Sequence, residues 1–221
     1  MASESTDDAA LAGQAVYTPL LLAVYDWAVL GVSNGFVWRC PTRRLLALYS
    51  HYASARHLEV GAGTGYFLDR CRFPVAAPSI TLLDLNPNTL RHAAQRIRRY
   101  APATLRANIL EPIPLQPKSF DSIGLNYVLH CVPGSMESKA SAFAHLAPLL
   151  REGGVLFGST ILADGVNQTP LSRALMAGYN ARRIFSNAGD SLTALDRALA
   201  GHFRGYHLEV RGCVAIFAAA R

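Results

Sequence analysis

The sequence predicts an α/β fold, a mostly parallel sheet with helices on both faces. Three observations predict it. From residue 57 onward, short apolar runs alternate with amphipathic stretches, the pattern of strands joined by crossover helices. A glycine turn, Gly61-Ala62-Gly63-Thr64-Gly65, follows the first run. The chain closes on two β-rich runs with only Arg211-Gly212 between them, which makes the finish antiparallel.

The elements follow in order. Residues 1–15 are expected to be flexible, and residues 16–56 to form a helical lid segment. Within it Pro41-Thr42 opens a helix through Leu45, Leu46, Leu48 and Tyr49. Residues 57–221 then form the domain proper. Its apolar runs are His57–Val60, Ser79–Asp84, Ala103–Asn108, Phe120–Asn126 and Gly154–Thr160. Between the second and third, Leu90, Ala93, Ala94 and Ile97 form a helix stripe. Phe143, Leu146, Ala147 and Leu150 form another, which Pro148 kinks or ends and Gly153-Gly154 stops. Residues 164–202 make a long connection with helical stretches around Leu171–Phe185 and from Asp190-Ser191 through Leu192, Leu195 and Leu199. A connection that long near the carboxyl edge of a sheet is expected to cover a binding site. Tyr206–Val210 and Cys213–Ala219 are the last two runs.

Size and composition bound the function. A chain of 221 residues, 51% hydrophobic and 16% charged, is a globular domain with room for a full core. The net charge is +6, and all but two of the 21 basic residues are arginines. They are scattered along the chain, as solvated faces rather than a nucleic-acid stripe. Cys40, Cys71, Cys131 and Cys213 make no C-x-x-C pair and no zinc spacing, so no metal is expected and a cytoplasmic, reduced setting is. The acidic start of the chain does not read as a secretory signal. The apolar stretch Thr18–Trp38 is interrupted by Asp26, Pro19, Gly31, Asn34 and Gly35, which argues against stable membrane insertion.

In open parallel sheets ligands bind beyond the carboxyl ends of the strands, where strand order reverses. Gly61, Gly63 and Gly65 stand at such an end, where the lack of side chains lets a ligand approach the backbone. Two cofactor classes compete there. A dinucleotide fingerprint is G-x-G-x-x-G/A, which needs a small residue where this chain has Tyr66. The chain reads G-x-G-x-G with Glu59 two residues before it. A carboxylate repels a pyrophosphate and attracts the ammonium and sulfonium of S-adenosylmethionine. Asp84 ends the second strand and can accept from ribose hydroxyls. Asn108-Ile109 ends the third, where an amide can bond the adenine edge while Leu85 and Ile109 sandwich the ring. Leu125-Asn126-Tyr127 ends the fourth, facing the methionine moiety. Spacings of 25, 24 and 18 residues separate Glu59, Asp84, Asn108 and Asn126, about one strand–helix unit each.

These residues resemble the class I S-adenosylmethionine-dependent methyltransferases, of the small-molecule kind related to quinone-biosynthesis enzymes. The resemblance covers roughly residues 40–221. It rests on Glu59–Gly65, Leu82-Leu83-Asp84, Phe120-Asp121-Ser122-Ile123 and Leu149-Leu150-Arg151-Glu152-Gly153-Gly154. It implies a doubly wound, seven-stranded sheet with an antiparallel last strand. It also implies S-adenosylmethionine as cofactor, with Glu59, Gly61 and Gly63 at the methionine end, Asp84 on the ribose and Asn108-Ile109 at the adenine. Asn108 departs from the aspartate of many relatives.

The expected reaction is methyl transfer to O, N or C of a small, apolar or aromatic metabolite of secondary metabolism. His130 is the candidate base, and Cys131 a lining residue. Tyr17, Tyr25, Trp27, Phe36 and Trp38 cluster ahead of the sheet. They read either as an aromatic lid or as a helical core. As a lid, Tyr17 or Trp38 would meet the sulfonium, and Tyr25 and Trp38 the substrate. Nucleic acid is disfavoured as a partner, because Asn126-Tyr127-Val128-Leu129 lacks the prolines of amino-methylating DNA enzymes. Two alternatives stand beside this reading: an NAD-dependent oxidoreductase, and a methyltransferase-like protein that uses the cofactor for binding or a non-methylating reaction. The sequence sets no oligomeric state.

Overall fold

The computed structural model describes residues 33–221. The start expected to be flexible, most of the expected lid segment, Tyr17, Tyr25 and Trp27 lie outside them.

Seven strands form one sheet: β1 (Arg56–Val60), β2 (Ser79–Asp84), β3 (Ala103–Arg106), β4 (Phe120–Asn126), β5 (Leu150–Ile161), β6 (Gly205–Arg211) and β7 (Val214–Ala220). Their order is β3-β2-β1-β4-β5-β7-β6. The pairs from β3 to β5 are parallel, and β7 runs antiparallel between β5 and β6. This is the doubly wound sheet with an antiparallel last strand that the sequence implied. Strand order reverses between β1 and β4, so their carboxyl ends open a crevice.

Two helical layers cover the sheet. On one face lie α1 (Thr42–Tyr52), the five-residue α2 (Tyr66–Arg70) and α3 (Pro87–Arg96). Their buried Tyr49, Leu68, Leu90 and Ala93 pack on Ile80, Leu82 and Phe157. The i, i+4 pair Leu45 and Tyr49 is the buried stripe of α1. Asn86 caps α3 by accepting from the Asn88 N–H, with Pro87 in the first turn. On the other face lie α4 (Met136–Lys139), α5 (Ser141–Leu146) and α7 (Leu192–His202), with Phe143, Leu146, Leu195 and Leu199 against Leu58, Val60, Ile123 and Phe217. Between β5 and β6, α6 (Pro170–Ala181) brings Met176 to a third cluster with Trp38, Phe185, Cys213 and Ile216.

One expectation is corrected. Gly153-Gly154 does not end the helix before β5. That helix tightens into a 3-10 turn over Ala147–Leu149, where Pro148 sits, and Leu150 already pairs with Phe120. Arg151–Gly154 is an irregularity inside the ladder, between the Phe120 and Ser122 registers. Gly153 there has a φ of +71°, the left-handed conformation that suits glycine.

Candidate active site

The cleft at the carboxyl edge is lined by the glycine turn, by Glu59 and Asp84, by Leu85, Asn108 and Ile109, and by Asn126, Tyr127 and Cys131. All of these except Ala62 and Thr64 were singled out from the sequence. Gly61, Gly63 and Gly65 take φ values of +69°, +53° and +73°. The bend is pinned by Gly61 N–H donating to Leu83 O at 2.8 Å and Gly65 N–H to Ala62 O at 2.9 Å. A Cβ on Gly61 would lie 2.4 Å from Val128 Cγ2, and one on Gly65 3.2 Å from the Ala93 backbone. The first glycine lets the turn after β4 approach, and the third lets α3 pack close.

Asp84 lies at the end of β2. Its Oδ1 accepts from the Asn86 N–H at 2.9 Å. Burial pushes its carboxyl up to about 6, against the backbone N–H groups of Asn86, Ala62 and Leu85, which hold it down. Asn108 turns the chain after β3, its Oδ1 accepting from the Leu110 N–H at 3.0 Å, and presents Ala107 and Ile109 to the cleft. Opposite, Asn126 Oδ1 accepts from Ser159 Oγ at 2.5 Å. Tyr127 has a φ of +56°, a conformation that costs a non-glycine residue about 1 kcal/mol, and its N–H donates to Ser159 O at 2.8 Å.

Glu59 is buried and hydrogen-bonded on both oxygens. Tyr49 Oη lies 2.5 Å from Oε1 and His57 Nε2 3.0 Å from Oε2. The sequence reading missed Tyr49, Phe67, Thr64, Thr89, Val128, Val132 and Pro133 as lining residues. The signal for Tyr49 was its place on the buried stripe of α1.

Three expected residues sit elsewhere. His130 is 4% exposed and does not line the cleft. Its ring packs edge-on to Phe185 and Tyr127, with centroids 4.5 and 5.7 Å away. Burial, helped by the Lys139 charge, pushes it down to about 3. Trp38 is buried against Phe185 at 5.8 Å between centroids, in the core cluster of Cys213 and Ile216. Phe36 is 78% exposed. Cys131 does line the cleft, and burial raises its thiol to about 12, so it stays protonated and is a wall rather than a nucleophile.

The donor set suits S-adenosylmethionine: an acid at each end of the cleft, an apolar pair at Leu85 and Ile109, and a side-chain-free bend between them. A family model described as a methyltransferase domain matches residues 58–156. Demethylluteothin O-methyltransferase of Streptomyces thioluteus is 45% identical over 213 residues, which cover 96% of this chain and 93% of that protein. The chain belongs to the class I S-adenosylmethionine-dependent methyltransferases.

Methyltransferase aurB of Calcarisporium arbuscula is 37% identical, over 99% of this chain and 98% of that one. Among solved structures, an O-methyltransferase family protein from Burkholderia thailandensis superposes with a TM-score of 0.65 at 17% identity. The match covers 90% of this chain and 59% of the other, so this methyltransferase spans about three-fifths of that protein. Phosphoethanolamine N-methyltransferase 2 of Haemonchus contortus, solved with phosphomonomethylethanolamine and S-adenosylhomocysteine, gives 0.68 at 16% identity over 94% of this chain and 46% of its own. These two show the fold. The methyltransferase uses S-adenosylmethionine and acts on a small molecule. No helix among its described residues is long and apolar enough to cross a membrane.

Proposed function

We propose that this enzyme methylates a hydroxyl oxygen of a small, apolar or aromatic metabolite of secondary metabolism. The observation that carries the choice of atom is the 45% identity, over nearly the whole chain, with a protein named an O-methyltransferase. The physcion biosynthesis cluster O-methyltransferase of Aspergillus chevalieri, 34% identical over 94% of the chain, points the same way. Bound S-adenosylmethionine supplies a methyl group already activated on a cationic sulfur. The protein's task is to orient the two reactants and keep water out.

In this reading Asp84 accepts from the ribose hydroxyls and Leu85 and Ile109 enclose the adenine, with Asn108 at its edge. Glu59, Gly61, Gly63, Asn126 and Tyr127 receive the methionine end. Val128, Cys131, Val132 and Pro133 give the acceptor an apolar wall. The segment 164–202 closes that side. A group whose conjugate acid is held near 3 is a weak base at neutral pH. We therefore assign His130 to shaping the acceptor wall through Tyr127. The four unpaired thiols fit a cytoplasmic setting, and a narrow apolar cleft fits a metabolite better than a nucleic acid.

The test is transfer of a labelled methyl group from S-adenosylmethionine to a panel of phenols, enols, amines and active-methylene compounds. Transfer to phenols or enols with a new O–CH3 group supports the reading. Transfer confined to amines or carbon acids overturns the atom, and binding with no transfer to any of them overturns the small-acceptor reading.

A further inference from the structure

Alternation along β1 puts His57 and Glu59 on the same face of the sheet, the one that α1 covers with Tyr49. A buried relay joins them. Ser122 Oγ accepts from the Ser54 N–H at 2.9 Å and lies 2.8 Å from His57 Nδ1. Ser122 is fully buried. His57 Nε2 lies within hydrogen-bond distance of Glu59 Oε2, 3.0 Å away. Tyr49 donates to Oε1; burial, and then the charge of Glu59, raise its hydroxyl well above the ordinary value, so it keeps its proton. Gly124 completes the arrangement, because a Cβ there would stand 2.4 Å from Glu59 Oε2.

The carboxyl group thus has two hydrogen-bonding neighbours, Tyr49 and His57. Among the described residues no arginine or lysine pairs with it. A buried charge without a countercharge is costly, and this group lines the cleft. We propose that Tyr49 and His57 are positioning residues for the cofactor: they hold the Glu59 carboxyl group in one rotamer, facing the cationic part of the bound cofactor. The inference rests on the assignment of S-adenosylmethionine to this cleft. Two groups of that cofactor are cationic, the sulfonium and the ammonium, and suitable probes separate them.

The experiment is calorimetric titration of the wild type, Tyr49→Phe, His57→Gln and Glu59→Gln with three probes. S-adenosylmethionine carries both cations, S-adenosylhomocysteine only the ammonium, and 5′-methylthioadenosine neither. Tyr49→Phe keeps the ring that stacks on Phe67 at 4.9 Å and removes only the donor. It is expected to weaken the cationic probes about fivefold or more, with 5′-methylthioadenosine changed by less than about twofold. His57→Gln should act in the same sense, and Glu59→Gln most strongly. A larger loss for S-adenosylmethionine than for S-adenosylhomocysteine assigns the countercharge to the sulfonium, and an equal loss for both assigns it to the ammonium. Equal weakening of all three probes would mean a packing role, and no change in any would leave Glu59 independent of its neighbours; either overturns the inference. Failure of the wild type to bind any probe overturns the cofactor assignment itself.

Discussion

Asp84 shows how burial sets the working range of a single side chain. With its carboxyl pushed up to about 6, it is ionised at neutral pH and gains a proton just below. A neutral carboxyl is a weaker acceptor for ribose hydroxyls. Affinity for S-adenosylhomocysteine is therefore expected to fall as pH drops from 7 to 5, and calorimetry across that range checks it. Asp84→Ala should cost about 1–3 kcal/mol of binding at pH 7 and flatten that dependence. His130 has the opposite signature, in stability. Its folded value, about 3, lies below its ordinary 6.5, so the unfolded chain takes up the proton first. Its contribution is whole above pH 6.5 and is lost as pH falls toward 3. Urea titrations at pH 7 and pH 5 should show less acid loss in His130→Gln than in the wild type, and equal loss in both would remove this role. The pair Lys139–Asp190, 2.6 Å apart with both side chains buried, ties the end of α4 to the segment before α7. Lys139 also donates to Ser186 O at 2.7 Å, and the Ser186 N–H donates to His130 O at 2.7 Å. Burial pushes both partners toward their neutral forms. Lys139→Met alone is expected to cost about 3–5 kcal/mol in urea unfolding, with Lys139→Met/Asp190→Leu recovering most of it.

At the scale of elements, the strands were legible because each carries its own signal. Ser79–Asp84 and Phe120–Asn126 have the ends the apolar runs marked. The carboxyl edge was legible for the same reason: Asp84 ends β2, the glycine bend follows β1, and Asn108 stands two residues past β3, which ends at Arg106 rather than at Asn108. What escaped was set by contacts distant in sequence. Pro148 marked the end of the helix before β5, but that Gly153 lies inside the next strand depends on Leu150 pairing with Phe120, thirty residues away. His130 looked like a cleft residue from its distance past β4; its burial depends on Phe185, in a segment whose path the sequence does not specify. Trp38 belongs to the core for a like reason, since the β6–β7 turn comes up against it. The Cys213 N–H donates to Trp38 O at 2.9 Å, and a Cβ on Gly212 would lie 2.2 Å from that oxygen. Glycines inside strands carry a comparable hidden constraint. A Cβ on Gly158 would fall 2.0 Å from Leu125 O and 3.1 Å from the Phe217 ring, so Gly158→Ala must open the β4–β5 ladder. It should cost about 3 kcal/mol or more, read as a lower urea midpoint with the slope unchanged.

For the whole molecule, the cleft joins parts that the sheet alone brings together: α1, the ends of β1, β2 and β4, and the turn after β3. Ligand binding there should stabilise the entire fold. At a concentration 100 times its Kd, S-adenosylhomocysteine is expected to add about 2.7 kcal/mol, a rise in Tm of roughly 5–10 °C for a chain of this length. NAD should leave Tm unchanged. The most direct test of the central claim is a crystal structure with S-adenosylhomocysteine bound. The account expects the ribose on Asp84, the adenine between Leu85 and Ile109, and the amino-acid end against Glu59 and the glycine bend. A ligand bound away from this edge, or NAD taken up there with its pyrophosphate against Gly61–Gly65, would contradict it.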